Sequence, residues 1–233
     1  MKIGTCGFCE SHSSYYKDFD VIELQNTFYD FVNDRWLEKL RNESPEHFEF
    51  TIKGIQIITH KYNSPTYRRF KSDFGDKSNY GFFRKTEEVY KSMEIMINYA
   101  NILKSNLIIL QAPPNFNENV ENLKNLNEFL YEFTNKNIFI GLELRGNWNK
   151  NTILNMIKEF NIIHVTDPFK EENLSLNFKY YRLHGIGGYS YKYSIDDLEK
   201  LIKITNSEDY ILFNNTFMCE NAKQFKNLIK LNK

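Results

Sequence analysis

The feature that most constrains this chain is a regular alternation of short β-rich runs with amphipathic helical patterns. Runs of Ile, Val, Leu, Phe and Tyr bounded by polar or turn residues predict eight strands, near 2–6, 20–25, 48–53, 106–111, 138–143, 162–166, 180–184 and 210–214. Apolar residues at helical spacing predict helices over about 34–43, 86–104, 119–134, 150–160, 195–205 and 219–230. This alternation predicts an α/β fold of the (β/α)8 type, a TIM-type barrel. An open doubly wound sheet is the alternative, but it rarely needs eight strands at this length.

Three connections depart from the regular pattern. The segment between the first two strands is too short for a full helix, and residues 167–179 show no clear helical period. Residues 54–84 precede the long helix without a helical pattern, and segments of that length are usually lids, binding loops or disordered. We expect one barrel domain over residues 1–233.

Charge and hydropathy exclude some classes of partner. No apolar run reaches the roughly 18 residues that a membrane span needs, so no membrane partner is expected. The first residues enter a strand-like segment at once, without a signal peptide, which predicts a cytoplasmic protein. Lys and Arg together number 30, as do Asp and Glu. This balance argues against a whole surface that binds nucleic acid, although it leaves a local basic patch open.

Polar residues recur at every second position toward the ends of several predicted strands. In a barrel, alternate residues face the interior, and the carboxyl ends of the strands carry the active site. The residues predicted to converge there are Glu23, Lys53, Gln111, Glu143, Arg145, Arg182 and His184. One interpretation is an internal salt-bridge network that only holds the barrel together. The other is a polar pocket that offers acid, base and cation to one ligand.

Eight short motifs lie at or beside these strands. They are Gly4-Thr5-Cys6-Gly7-Phe8, Glu23-Leu24-Gln25-Asn26-Thr27-Phe28-Tyr29, Phe50-Thr51-Ile52-Lys53-Gly54, Ile58-Thr59-His60, Gln111-Ala112-Pro113-Pro114-Asn115-Phe116, Glu143-Leu144-Arg145-Gly146-Asn147-Trp148, Tyr181-Arg182-Leu183-His184-Gly185 and Phe213-Asn214-Asn215-Thr216. In this order they resemble the domain of unknown function 72 family, also called YecE-like, over nearly the whole chain. The resemblance implies a (β/α)8 barrel. It implies no activity, because the family's name records none.

The candidate catalytic residues are Glu143, His184 and Lys53. A carboxylate and an imidazole supply general acid and base when burial or pairing brings their pKa values near neutrality. Lys53 serves as a cation for developing negative charge, or as an amine nucleophile if its pKa is lowered. The structural alternative, which we favour over the covalent role, is that Lys53 forms an ion pair with Glu23 or Glu49.

The candidate ligand-binding residues surround that set: Glu23, Asn26, His60, Gln111, Arg145, Arg182, Asn214 and Asn215. The arginines are predicted to hold negative charge, and the amides to orient the ligand. Gly185, Gly187 and Gly188 follow His184 and either expose backbone amides to an anion or form an ordinary turn.

The cofactor is not predicted, although a divalent metal is considered. His60, Glu143 and His184, with His164 or Asp167, are suitable ligand types, but no local metal motif such as HExxH occurs.

Cys6 and Cys9 form a CxxC pair, and Cys219 follows the last strand, which adjoins the first in a closed barrel. These thiols, with His12 nearby, form either a zinc or redox site or three reduced thiols. We favour the reduced thiols, because a lone CxxC is weak evidence.

The most polarised stretch runs from Lys53 to Lys85, with eight basic residues against Asp73 and Asp76. The aromatic residues interleaved there are Tyr62, Tyr67, Phe70, Phe74 and Tyr80. The first function hypothesis is therefore an enzyme that uses acid/base chemistry on a small anionic ligand, phosphorylated compounds included. The alternative is a protein that binds or processes nucleic acid through loop 54–85, since basic and aromatic residues suit phosphates and bases. A third is a non-catalytic sensor of a metabolite.

Overall fold

A closed barrel of eight parallel strands forms the centre of the molecule. The computed structural model describes residues 1–134 and 138–231. The strands are β1 (Lys2–Cys6), β2 (Val21–Leu24), β3 (Glu49–Lys53), β4 (Leu107–Ala112), β5 (Phe139–Leu144), β6 (Ile163–Thr166), β7 (Tyr180–Leu183) and β8 (Tyr210–Phe213). β1 closes the barrel, because Gly4 is paired with Val21 of β2 and with Leu212 of β8. The predicted barrel is confirmed, and every strand end lies within one residue of its predicted position.

Helices surround the barrel: α1 (His12–Asp18), α2 (Asn26–Tyr29), α3 (Asp34–Glu43), α4 (Gln56–Thr59), α5 (Glu87–Leu103), α6 (Val120–Phe133), α7 (Lys150–Phe160), α8 (Ile195–Ile204) and α9 (Met218–Leu231). The six predicted helices are all present. α8 begins with a capping box, in which Ser194 and Asp197 satisfy each other's backbone N–H groups. Within residues 1–134 and 138–231, no helix is both long and apolar enough to cross a bilayer.

The irregular connections lie where the sequence predicts them. α1 has only seven residues, and residues 167–179 contain no helix. Residues 54–84 are more ordered than expected, with α4 and two 3-10 turns, Pro65–Arg69 and Lys77–Asn79. The reason is burial of apolar side chains that lack helical spacing: Tyr67, Tyr80 and Phe83 all pack into the core. Residues 54–84 therefore pack against the large apolar core.

The barrel interior divides into an apolar and a polar half. The apolar half is a separate cluster inside the strands: Cys6, Val21, Leu107, Ile109, Ile163, Val165, Tyr180 and Leu212. Toward the carboxyl ends of the strands, the buried interior residues are Glu23, Lys53, Gln111, Glu143 and Arg182. The large apolar core lies outside the strands, under the helices. Strand alternation predicted that polar side chains point into the barrel. This prediction holds for the half of the interior nearer the carboxyl ends of the strands.

The cysteines differ from the prediction. Cys9 forms a disulfide with Cys219, with 5.6 Å between the two Cα atoms, and this bond joins the loop after β1 to the start of α9. Cys6 is a free, buried thiol inside the barrel, and burial raises its pKa to about 12. The ring of His12 packs on Phe8. The interpretation as three reduced thiols is wrong. The CxxC pair does not converge on a metal, because Cys6 lies inside the barrel while Cys9 is bonded to Cys219.

We expect reduction of the Cys9–Cys219 bond to lower the free energy of unfolding by about 2–4 kcal/mol, since the cross-link constrains the unfolded chain. Guanidinium unfolding with and without dithiothreitol measures the change. The double variant Cys9→Ser/Cys219→Ser is the control, because reductant should leave its midpoint unchanged. Alkylation of three thiols per chain in denatured, unreduced protein would contradict the disulfide.

Candidate functional site

The polar half of the barrel is organised around Arg182 of β7, whose side chain is fully buried. Its Nη2 lies 3.0 Å from Oε1 of Glu23, and its Nη1 contacts Oε2 of Glu143. Nη1 also donates to Oε1 of Gln111 at 2.8 Å. The Tyr180 hydroxyl donates to Oε2 of Glu23 at 3.0 Å. One cation therefore connects two carboxylates on different strands of the barrel.

This arrangement fixes the charge of Glu143. Burial opposes its ionisation, but the guanidinium groups of Arg182 and Arg145 hold its pKa well below the usual range. Burial also opposes the charge of Arg182, but Glu23 and Glu143 raise its pKa well above the usual value. The role of Glu143 in proton transfer remains an untested prediction. Its contacts favour a permanent carboxylate that holds two arginines.

Three residues predicted to bind a ligand have side chains that contact other protein groups. Glu23 and Arg182 are each 0 % exposed, so neither leaves surface for a ligand at the mouth; both belong to the ion-pair network. The Nδ2 group of Asn215 donates to the carbonyl of Tyr191 at 2.7 Å and to Oδ1 of Asn221 at 3.0 Å. Asn215 thus connects the loops before α8 and α9. The contacts predicted for these three residues with a ligand stay untested, and in this structure their side chains contact other protein groups.

The remaining predicted amides have varied positions. Gln111 is occupied by Arg182 through its side-chain oxygen. Asn26 is exposed at the first residue of α2. Asn214 is half-buried after β8, where its backbone N–H donates to the carbonyl of Leu183 at 2.9 Å. Their predicted contacts with a ligand stay untested.

His184, directly after β7, lies between the carboxylate of Asp167 and the guanidinium of Arg145. Its Nδ1 lies 3.5 Å from Oδ2 of Asp167, which also accepts the His184 backbone N–H at 3.0 Å. Its Nε2 lies 3.1 Å from Nη2 of Arg145. Burial opposes ionisation of Asp167, but hydrogen bonds from His184 and Phe169 hold its pKa below the usual value. The imidazole therefore has a fixed orientation.

The turn after His184 requires glycine. Gly185 has φ = +90°, and a Cβ there would lie 2.1 Å from the carbonyl oxygen of Gly188 and 2.9 Å from the Tyr191 side chain. Its N–H donates to the hydroxyl of Tyr193 at 2.8 Å. This sharp turn returns the chain toward His184, so that the centroid of the Tyr189 ring lies 5.8 Å from that of the imidazole.

A cavity of roughly 390 Å³ opens beside this imidazole, which is within the size range of small-molecule sites. Its lining consists of Glu143, Leu144, Arg145, Gly146, Asp167, Lys170, Glu171, His184 and Tyr189. The Arg145 side chain is 32 % exposed, and its Nε donates to Oε1 of Glu143 at 2.6 Å. Burial, with the negative charges of Glu143 and Asp167, raises the pKa of Glu171. The cavity therefore combines an imidazole, cations and a carboxyl whose pKa is raised.

Sequence reasoning missed part of this lining. Lys170, Glu171 and Tyr189 were not predicted, and Asp167 was considered only as a metal ligand. Asp167 directly follows β6, where barrel strands present site residues, and that position was the available signal. Lys170 and Glu171 lie in the irregular loop before β7, where no periodic pattern indicates direction.

Lys53 differs from the expected ion pair. It is 6 % exposed and has no ion pair within the described part of the chain, because Glu23 is bound to Arg182 and Glu49 lies at the opposite end of the barrel. Its Nζ lies 4.1 Å from the ring centroid of Phe28. Burial and repulsion from Arg182 lower its pKa to about 8. The favoured alternative of a pair with Glu23 or Glu49 is wrong.

His60 packs on the same aromatic ring. Its imidazole is perpendicular to Phe28 with 5.2 Å between centroids, and its Nδ1 lies 2.7 Å from Oγ1 of Thr59. Burial lowers its pKa to about 3, and the positive charges of Lys53 and Arg145 act in the same direction. His60 is therefore neutral at physiological pH.

The predicted metal ligands do not converge. Residues 1–134 and 138–231 contain no group of three or more His, Cys, Asp or Glu placed to bind a metal. Glu143 is taken up by two arginines, and His60 packs against Phe28. The Nδ1 of His164 accepts the N–H of Leu174 at 3.2 Å. This arrangement does not fit the metal centre considered from residue types.

In the basic aromatic loop, residues 54–85, many lysine and aromatic side chains contact other residues of the same loop. Of the rings predicted to stack on bases, Tyr62 is exposed, Phe70 and Phe74 are half-buried, and Tyr67 and Tyr80 are buried. The ammonium of Lys77 lies 5.2 Å from the Tyr62 ring, and that of Lys61 lies 4.4 Å from the Phe82 ring. Nucleic-acid binding stays an untested prediction, and this packing removes most of the free rings that it requires.

Known proteins resemble this chain in sequence and in fold. A family model described as "protein of unknown function DUF72" matches residues 10–233. The chain belongs to the DUF72 family. The family match confirms the predicted resemblance of this DUF72 protein over residues 10–233. No match was found among the curated proteins.

Solved structures of DUF72 proteins have the same fold. The chain is similar to a DUF72 family protein from Enterococcus faecalis, with 20% identity over 98% of this chain and 97% of that chain and a TM-score of 0.73. A DUF72 family protein from Thermotoga maritima has 17% identity over 98% of both chains and a TM-score of 0.69. Endonuclease IV from Thermus thermophilus has 7% identity over 99% of this chain and 98% of that chain, with a TM-score of 0.57. At identities this low, the similarity of the structures shows a common fold and nothing more.

We expect Arg182→Met to lower the free energy of unfolding by about 3–5 kcal/mol, because it leaves two buried carboxylates without their cation. Chemical unfolding measures the loss. Adding Glu23→Gln and Glu143→Gln to the same chain should recover part of it, since the unpaired charges are then removed. A loss no larger than that of the matched rim variant Arg145→Met would contradict the central role of Arg182.

The low pKa of Glu143 also predicts an acid-dependent loss of stability. A carboxyl whose folded pKa is depressed contributes stability above its unfolded pKa of about 4.3, and this is lost as pH falls toward the folded value. Glu143→Gln should therefore flatten the fall in urea midpoint between about pH 5 and pH 2. Identical pH profiles for the two proteins would show that Glu143 does not have this role.

Proposed function

We propose that this DUF72 protein is an enzyme that acts by acid/base chemistry on a small anionic compound bound at the mouth of the barrel. The observation that carries the proposal is the His184 imidazole, held between Asp167 and Arg145 on the wall of a cavity. A base, its orienting carboxylate and an anion-binding group thus share one small-molecule site.

The proton-accepting atom is Nε2 of His184. A guanidinium only donates hydrogen bonds, so the contact with Arg145 requires an unprotonated Nε2 and places the ring proton on Nδ1, toward Asp167. Asp167 then stabilises the imidazolium that forms when Nε2 takes a proton. An anion that attracts Arg145 away from Nε2 would free the base at the moment the ligand binds.

The anion is held by cations on the cavity wall. Glu143 fixes Arg145 through its Nε, while the planar fork of the guanidinium suits the oxygens of a carboxylate or phosphate. Lys170, whose side chain is 55 % exposed, lines the same cavity and adds a second positive charge. These cations favour a ligand with at least one negative group.

A second titrating group is needed to return the proton. We assign this part to Glu171, because it lines the cavity and because burial and neighbouring negative charges raise its pKa. Glu143 is less suited, since its two arginine partners keep it ionised. Its part in the proposal is to position Arg145.

Deuterium exchange tests the proposal even while the overall reaction is unidentified. Small phosphorylated and carboxylated compounds are first screened for binding by thermal shift, and those that bind are incubated with the protein in D2O. Proton NMR then detects loss of carbon-bound hydrogens. We expect His184→Asn to bind with wild-type affinity and to slow exchange by about 10²–10⁴-fold, the usual contribution of a general base.

Arg145→Met should weaken binding of the same compound by at least about tenfold, or roughly 1.4 kcal/mol. Lys150→Met is the matched control, because Lys150 pairs with Glu172 outside the cavity lining. Exchange that persists in His184→Asn would overturn the role of the imidazole. Tight binding without exchange or turnover of any compound would indicate a metabolite sensor.

A further inference from the structure

Lys53 has no part in the acid/base step proposed above, yet its environment is unusual. It ends β3 in the polar half of the barrel and is 6 % exposed. Within residues 1–134 and 138–231, no ion pair involves its ammonium group. Buried lysines are normally paired, because an uncompensated charge is costly away from water.

The surroundings of Lys53 hold the side chain without a carboxylate. Its backbone carbonyl accepts the hydroxyl of Thr27 at 2.7 Å, and its ammonium lies over the face of Phe28. His60 packs against the same ring and is neutral at physiological pH. Because no ion pair holds the ammonium, its proton can leave without breaking one.

Burial is the main effect that favours the neutral amine, and neighbouring charges act in both directions. Glu23 and Glu143 attract the Lys53 ammonium, but both carboxylates are engaged by arginines. Arg182 and Arg145 repel it. Together these effects lower the pKa of Lys53 to about 8, which favours the neutral, nucleophilic form of the amine.

We propose that Lys53 is an amine nucleophile that forms an imine with the carbonyl carbon of an anionic aldehyde or ketone bound at the mouth of the barrel. This inference rests on the proposed function, because it names the carbonyl class of the anionic ligand. The lone pair of Nζ forms a bond to the carbonyl carbon, and the carbonyl oxygen takes up a proton. The nitrogen loses one proton to give the carbinolamine. Its hydroxyl then takes up a second proton and leaves as water, while the nitrogen lone pair forms the C=N bond of a protonated imine.

Imine formation would complement the base already described. A protonated imine withdraws electrons from the adjacent carbon and makes its hydrogen more acidic than in the free carbonyl compound. Arg145 connects the two groups, since it contacts Nε2 of His184 and lies within electrostatic range of Lys53. The combination favours proton removal next to a carbonyl group.

Reductive trapping tests this inference. Wild-type protein is incubated with sodium cyanoborohydride and either glyoxylate, an anionic aldehyde, or propanal, a neutral one. Peptide mapping by mass spectrometry then locates each modified lysine. We expect one modification per chain with both aldehydes, at Lys53, formed at least about tenfold faster than at the exposed Lys61, because more of the Lys53 amine is neutral.

Two variants serve as controls. Lys53→Arg should abolish the fast modification, while Lys61→Arg should retain it, since Lys61 lies over Phe82 outside the barrel interior. Peptide mapping of the wild-type chain decides the question even if Lys53→Arg fails to fold. Equal modification of exposed lysines and Lys53, or a fast modification that survives in Lys53→Arg, would overturn the proposal.

The two aldehydes separate this inference from the proposed function. If both hold, Arg145→Met loses the fast reaction with glyoxylate and keeps that with propanal. If propanal and glyoxylate react with Lys53 equally fast in the wild type and in Arg145→Met, the nucleophile stands and the anion site fails. If Lys53 reacts with neither aldehyde while anions bind through Arg145, the nucleophile fails and the anion site stands.

Discussion

The mouth of the barrel depends on one buried guanidinium. Arg182 is fully enclosed and lies against Glu23 and Glu143, with Gln111 as a further acceptor. Any of these charges alone would be costly to bury, but together they compensate each other. Because they come from β2, β4, β5 and β7, the network connects opposite walls of the barrel and separates its apolar half from the cavity above.

The same network determines which groups at the mouth remain reactive. Glu143 uses one oxygen for Arg182 and the other for Arg145, so a buried ion pair also fixes the arginine that faces His184. The carboxylates of the polar half are then engaged, and Lys53 is left without an ion pair in the part of the chain described. Arginines thus engage the buried carboxylates, while Lys53 lies over the Phe28 ring.

Sequence periodicity could predict the fold and the direction of side chains, but it could not predict their partners. Strand limits followed from short β-branched runs with clear turn residues at both ends. Alternation placed Glu23, Lys53 and Arg182 on the inner face, and all three are buried there. Which acid pairs with which base depends on distances across the barrel, and so the ion pair of Lys53 with Glu23 or Glu49 was wrongly predicted. Barrel closure did predict that Cys219 lies near Cys9, but the sequence could not show that the two thiols form a bond.

The two interpretations of the converging charges were a structural network and a ligand pocket. The structure contains a buried ion-pair network with a cavity above it. Below the mouth, Arg182 and Glu23 are fully enclosed and stabilise the barrel. Above them, Arg145 and His184 line a cavity together with Asp167, a residue of an irregular loop. Glu143 belongs to both layers through its two oxygens. A change at Glu143 must therefore alter stability and the ligand site together, whereas a change at His184 leaves the buried ion pairs intact.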